Sequence, residues 1–157
     1  MSRNKEAVFS RDSDDWETPE EIIKQLRIKF GVKKFFDPCP YMNDIKKWNG
    51  LEGSWKDWNF VNPPYSETKQ WIGKALIELR KGKNSIFLIP SRTDTKIWQE
   101  VIFEKAKGIY FVNGRIKFVG GLSSAPFPSD IIVFSNSKEK QKIDRISFKK
   151  EKEKWNM

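Results

Sequence analysis

The sequence predicts an α/β fold, a mostly parallel open sheet with an antiparallel hairpin near the C-terminal part. Three observations predict it. Strand and helix patterning alternate through the middle of the chain, strand–helix–strand–helix–strand, as expected when helices carry the crossovers between parallel strands. Residues 85–89, Ser85-Ile86-Phe87-Leu88-Ile89, form a nearly unbroken apolar run, the signature of a strand covered on both faces. Asn113-Gly114 is a strong two-residue turn between two strand-like segments. The chain has 157 residues, within the ~100–200 expected of one domain, and it contains no internal repeat.

Each element has its own signal. Residues 1–15 are polar and aperiodic and read as an arm. In Thr18-Pro19-Glu20-Glu21, Thr18 is a candidate helix N-cap, Pro19 suits the first helical position and Glu21 completes a capping box. Ile22, Ile23, Leu26 and Phe30 follow at helical spacing, and Gly31 ends that helix. Residues 33–37 read as a short strand entering Asp37-Pro38-Cys39-Pro40. Asn49-Gly50 and Gly53 mark turns. Residues 57–61 form a strand that must stop at Pro63-Pro64, because two prolines cannot continue a central strand. Residues 67–80 make an amphipathic helix with Ile72, Ala75, Leu76 and Leu79 inward. After the strand at 85–89 and the loop 90–95, residues 96–106 are helical with Ile97, Trp98, Val101 and Ile102 inward. Residues 109–112 are a strand, and 115–119 its hairpin partner, with Arg115 and Lys117 on one face and Ile116 and Phe118 on the other. Residues 120–129 are a glycine- and proline-rich loop. Residues 131–134 are an apolar strand and 142–148 an edge strand. The reading is thus an arm (1–15), one domain (16–148) and a charged tail (149–157).

Composition narrows the chemistry. Thirty Lys/Arg against 21 Asp/Glu give a net charge of +9, the electrostatic footprint of a nucleic-acid binder. Part of that excess lies in residues 138–157, which hold eight Lys/Arg and four Asp/Glu and can be a solvated face. Histidine is absent and there is one cysteine. A Ser-His or Cys-His nucleophile pair, the usual Cys/His zinc site and an intrachain disulfide are therefore excluded. No apolar run approaches the ~20 residues of a membrane span, and the N-terminus lacks a signal peptide's apolar stretch. The expectation is a cytoplasmic protein without metal or membrane; the sequence leaves its oligomeric state open.

In open α/β sheets, ligands sit at the carboxyl ends of the strands. Three segments lie there: Asp37-Pro38-Cys39-Pro40, Asn62-Pro63-Pro64-Tyr65 and residues 90–95. The second carries the most chemistry. An exocyclic amine on a base is a poor nucleophile because its lone pair is delocalised into the ring. Methylating it requires acceptors for the amine protons that draw the nitrogen toward tetrahedral geometry. A side-chain amide oxygen (Asn62) and a backbone carbonyl (Pro63) supply them, Pro63 and Pro64 stiffen the loop, and the Tyr65 ring can stack on a base flipped out of a duplex. None of this needs histidine or cysteine. By itself the tetrapeptide is also an ordinary strand-ending turn.

Several ordered segments together make the chain recognisable. They are Trp16-Glu17-Thr18-Pro19, Phe36-Asp37-Pro38-Cys39, Gly50-Leu51 with Trp55, Asn62-Pro63-Pro64-Tyr65-Ser66, Ile89-Pro90-Ser91-Arg92-Thr93-Asp94-Thr95, Gly114-Arg115-Ile116-Lys117-Phe118 and Ala125-Pro126-Phe127. Over about residues 15–134 the chain resembles the phage-type Dam-like DNA N6-adenine methyltransferases, a family within the Rossmann-like enzymes that use S-adenosylmethionine.

The resemblance implies methyl transfer from S-adenosylmethionine to the exocyclic amine of a flipped adenine in double-stranded DNA, with Asn62, Pro63, Pro64 and Tyr65 as the catalytic segment. It implies cofactor contacts from Trp16, Thr18, Pro19, Asp37, Pro38, Cys39, Asn49, Gly50 and Leu51, with Thr18 and Pro19 at the methionine end. It implies DNA contacts from Ser66, Arg92, Thr93, Asp94, Arg115 and Lys117. The chain departs from the wider class in having no G-x-G after Asp37-Pro38, and it carries Asn49 where relatives often have an acidic residue. Two alternatives stay open. The same fold can act on another planar amine (cytosine, RNA adenine or a protein glutamine), or the chain can be a nucleic-acid binder that has lost its cofactor site.

Overall fold

The two longest runs of buried residues form neighbouring strands. In the computed structural model, β2 (Asn84–Pro90) and β4 (Ser129–Phe134) pair antiparallel from Ser85↔Phe134 to Pro90↔Ser129. The structure describes residues 16–41, 46–121 and 123–149. The expected arm (1–15), and all of the expected tail except Lys149, lie outside the described residues.

Before these strands come α1 (Glu20–Phe30), β1 (Trp58–Val61) and α2 (Thr68–Arg80). Between them lie a π-helical segment, Ile97–Ile102, continued by α3 (Phe103–Lys105), and then β3 (Gly108–Val112); β5 (Lys142–Ile146) follows. The sheet order is β1-β2-β4-β3-β5. β1 is parallel to β2 and β3 to β5, while β4 is antiparallel to both its neighbours. Four strands thus run one way and β4 runs against them. Of the expected strand at 33–37, a single parallel bridge forms, Phe36 to Asn59. It continues the sheet beyond β1.

Alternation along the strands divides the core into two layers. On one face Val61, Phe87, Ile89, Ile109, Ile132 and Phe134 pack under Ile72 and Ala75 of α2 and under Trp98 and Ile102 of the π-helical segment. On the other, Phe60, Ile86, Leu88, Tyr110, Ile131 and Val133 pack under Ile22 and Leu26 of α1. Both faces of an open mixed sheet are therefore covered by helices, as the apolar run at 85–89 predicts.

The expected hairpin at Asn113-Gly114 does not form. Gly114 makes a turn at φ 77°, but both edges of β3 are already taken by β4 and β5. Residues 115–118 therefore have no free edge to join. They join no ladder and keep the expected alternation: Ile116 and Phe118 are buried while Arg115 and Lys117 are exposed. The antiparallel element of the sheet is β4. The helix expected at 96–106 forms mostly as a π-helix, a winding that recurs beside functional sites.

Candidate active site

β1, β2 and β3 all end at the same edge of the sheet, and the chain leaves each of them into a sequence-predicted segment. Asn62 follows β1 directly and is 8% exposed. Its amide nitrogen is held by the N-terminal segment: Nδ2 donates to the Trp16 carbonyl oxygen at 2.5 Å and to Thr18 Oγ1 at 3.0 Å. Its Oδ1 is buried and has no hydrogen-bond partner among the described residues. Because the nitrogen is fixed, the amide plane cannot turn, and one acceptor is left unspent at the strand end.

This arrangement corrects the expected start of α1. The N-cap residue is Pro19, in extended backbone (φ −60°, ψ 138°), and no side chain caps the helix. The Pro19 carbonyl accepts from Ile22 and Ile23 at 3.0 and 3.5 Å, and Glu21 takes a bond from Gln25 instead of closing a capping box. The Thr18 hydroxyl serves Asn62 rather than the helix.

Tyr65 opens a short 3-10 turn, Tyr65–Glu67, that leads into α2. Its ring lies against Trp16 (centroids 6.3 Å, 18° between planes) and meets Phe127 edge-on at 5.2 Å. Trp16 also packs on Phe118 and Phe127. The Tyr65 hydroxyl is buried with no partner among the described residues, and burial pushes the phenol well above its ordinary range. An aromatic nest from four separate stretches of chain thus surrounds the tetrapeptide.

Beyond Pro64 lies a cleft of about 200 Å³. Pro38, Cys39 and Pro40 line one side and Asn49, Gly50 and Leu51 another, with Trp48, Trp71 and Glu67 completing it. Each wall has a local cause. Asp37 Oδ1 accepts the Cys39 N–H at 2.9 Å, and Asn49 Oδ1 accepts the Leu51 N–H at 3.0 Å; both are side-chain turns. A Cβ on Gly50 would collide with the Pro38 carbonyl, so only glycine lets the two walls approach. The Gly50 carbonyl accepts from Trp55 Nε1 at 2.8 Å, and the Trp55 N–H donates to Glu78 Oε2 at 3.3 Å. Glu78 is buried in α2 with Lys74 and Lys81 at 2.8 and 2.9 Å. Burial pushes its carboxyl up, but the two ammonium groups and the Trp55 N–H outweigh that and hold it at about 2.

A second cleft of about 220 Å³ lies on the other side of the turn, between Tyr65, Ser66 and Lys69 and the loop bearing Arg92 and Thr95, floored by Ile89 and Trp98. Thr93 and Asp94 stand outside it: Asp94 is exposed, and the Thr93 carbonyl accepts from Gln99 at 2.6 Å. The Arg92 carbonyl accepts from Thr95, both backbone and hydroxyl.

The structure therefore divides the expected cofactor residues. Pro38, Cys39, Asn49, Gly50 and Leu51 share one cleft, whereas Trp16 and Thr18 meet Asn62. The sequence alone did not single out Trp48, Glu67, Trp71 and Glu78, nor Asp130 of β4, a carboxylate 1% exposed whose Oδ2 has no partner among the described residues. The tryptophans pass for core. Two signals were available: Glu78 falls on the buried stripe of α2 with Trp71, Ile72 and Ala75, and Asp130 interrupts an apolar strand. Among the described residues there is no group of three or more His, Cys, Asp or Glu placed to hold a metal ion, and no helix is long and apolar enough to cross a membrane.

Comparison with known proteins gives one positive result. The family model described as DNA N-6-adenine-methyltransferase (Dam) matches residues 5–156. Neither the curated proteins nor the solved structures give a match.

Proposed function

The chain belongs to the DNA N-6-adenine-methyltransferase (Dam) family, and on that premise we propose that it transfers a methyl group from S-adenosylmethionine to the exocyclic amine of an adenine flipped out of double-stranded DNA. The observation that carries the proposal is the Asn62 side chain, with its nitrogen pinned by Trp16 and Thr18 and its buried oxygen without a partner among the described residues. A buried acceptor without a donor is costly, and an amine proton of the substrate satisfies it. The order of the sheet, with helices on both faces and β4 alone reversed, supports a Rossmann-like methyltransferase fold.

In this reading Asn62 Oδ1 and the Pro63 carbonyl accept hydrogen bonds from the two amine protons and draw the nitrogen toward tetrahedral geometry, which frees its lone pair; once the N–C bond forms, one amine proton leaves to solvent. Pro63 and Pro64 hold both acceptors still, so little reorganisation is needed as charge develops. The adenine takes the place against Tyr65 that the Trp16 indole holds in the free protein, with Phe127 at its edge.

The residues present fit S-adenosylmethionine. Trp48 and Trp71 wall the 200 Å³ cleft, and Glu67 and Asn49 bring acceptors for hydroxyl and ammonium groups. That volume is below the ~300–1,000 Å³ of a full small-molecule site. It therefore suits the nucleoside end, which leaves the amino-acid end for Thr18 and the start of α1, where backbone amides favour a carboxylate. When bound, the cofactor supplies an electrophilic methyl group on a sulfonium. Arg92, Arg115 and Lys117 are exposed at the same edge and suit DNA phosphates.

The test is transfer of label from tritiated S-adenosylmethionine. Label in an adenine-containing duplex, recovered as N6-methyladenine, is the expected result. Label in RNA, in protein or in cytosine instead would transfer the mechanism to another planar amine.

A further inference from the structure

Val119 is an apolar side chain standing in solvent, 52% exposed, and its backbone is fixed on both sides. The Val119 N–H donates to the Glu17 carbonyl at 3.0 Å, and the Gly121 N–H donates to the Phe118 carbonyl at 3.1 Å. The second bond closes a four-residue turn, Phe118 to Gly121. Its third position is Gly120 at φ 75°, where a type II turn requires glycine. Val119 therefore sits at the tip of a pinned turn.

That turn stands beside the proposed base site. Phe118 packs on Trp16 with centroids 5.2 Å apart and lies 6.5 Å from Phe127. Both of those rings meet Tyr65. Glu17, which holds the Val119 N–H, follows Trp16, whose carbonyl accepts from Asn62. On the approach to the tip, exposure alternates: Ile116 and Phe118 are buried, while Arg115, Lys117 and Val119 are exposed. Two cations thus lead up to one apolar side chain. Cations suit phosphates. An apolar tip suits the interior of a base stack, where such side chains wedge between base steps.

We infer that Val119 is a wedge for the duplex: when the target adenine leaves the stack for the site at Asn62, the Val119 methyl groups enter the space it vacates, and Arg115 and Lys117 hold the flanking backbone. This role rests on the reading of the chain as a DNA adenine methyltransferase and adds to it how the flipped state is kept open. Flipping gives up pairing and stacking, and an apolar group in the gap restores part of the stacking contact. Val119 therefore acts on the population of flipped adenine, without touching the reacting atoms.

The test uses the full chain. Sequencing of plasmid DNA methylated by the wild-type protein first locates the site, and two duplexes carrying it are then compared. One has the target adenine opposite thymine, the other opposite an abasic position, where pairing is already lost. A 2-aminopurine in place of the target adenine reports flipping by its fluorescence. Val119→Ser is expected to lower kcat/KM on the paired duplex about tenfold, within the range of one lost stacking contact, and to lower the 2-aminopurine signal with it. On the abasic duplex, where flipping costs least, the loss shrinks to about threefold or less. Val119→Leu keeps an apolar tip and stays near wild type on both. S-adenosylmethionine affinity, measured by calorimetry, is unchanged in both variants. Wild-type rates for Val119→Ser on the paired duplex overturn the role of Val119 and leave the DNA reading intact. So does an equal loss on the two duplexes, and so does a parallel loss of cofactor affinity. A wild-type protein that methylates no DNA overturns the DNA reading and the wedge with it.

Discussion

Asn62 Nδ2 donates to Thr18 Oγ1 at 3.0 Å across 44 residues of sequence. The bond joins the segment before α1 to the end of β1 and fixes which way the Asn62 amide faces. Thr18→Val keeps the shape and removes the acceptor. The expected effect is a fall in kcat of about three- to tenfold, the range of one hydrogen bond, with little change in KM for DNA, and with Thr18→Ser restoring the rate. A rise in cofactor KM that exceeds the fall in kcat would show that the Thr18 hydroxyl acts on the cofactor and not through Asn62.

Gly50 tolerates no side chain because the Pro38 carbonyl occupies the place of a Cβ. Gly50→Ala must push the two cleft walls apart, at about 1–3 kcal/mol for overpacking. Calorimetry should show S-adenosylmethionine binding weakened by about five- to a hundredfold, since 1.4 kcal/mol is a factor of ten. Wild-type affinity in the folded variant would remove this cleft from the cofactor site.

The Tyr65 hydroxyl is buried with no partner among the described residues, whereas its ring packs on Trp16 and Phe127. Tyr65→Phe should leave stability unchanged or raise it by about 1 kcal/mol and keep methyl transfer within about threefold. Tyr65→Ala should lose the stacking contribution, roughly 1–3 kcal/mol per base. A large loss of rate in Tyr65→Phe would show that the hydroxyl finds its partner in the substrate complex.

Two buried carboxyls give opposite pH dependence. The Glu78 carboxyl is held at about 2 in the fold against an ordinary 4.5, so its contribution is present above pH 4.5 and is lost as pH falls toward 2. Discounted for the exposed Lys81, it amounts to about 2 kcal/mol. Asp130 lies at about 6 against 3.8; it favours the fold below pH 3.8, and that contribution disappears as pH rises through 6. Denaturant unfolding of Glu78→Gln should lose the acid-side slope, and Asp130→Asn the slope between pH 4 and 6. Unaltered profiles would contradict the burial and pairing described for these groups.

Much of the sheet was legible because its central strands are apolar on both faces: β2 and the core of β4 follow directly from their composition. The place of Asn62 at the end of β1 was legible because two prolines must end the strand there. Grouping Pro38 and Cys39 with Gly50 and Leu51 was legible only through the family resemblance. The rest depended on partners distant in sequence. Thr18 has every local feature of a helix cap, but Asn62 claims its hydroxyl. Asn113-Gly114 has every local feature of a hairpin, but β4 and β5 fill both edges of β3. Trp48 and Trp71 line a cleft, and nothing in an aromatic residue's own sequence context separates a cleft wall from core.

In the proposed reaction the Asn62 oxygen receives the amine of the target adenine. The most direct test of this is N6-methyladenine formation by Asn62→Ala, quantified by mass spectrometry of the duplex, with duplex affinity measured alongside. Asn62→Ala should lose about 10²–10³-fold or more in kcat, the effect of removing one preorganised hydrogen-bonding group from a reacting centre, with duplex affinity nearly unchanged. Methyl transfer by Asn62→Ala within a few-fold of wild type would contradict that role of the oxygen.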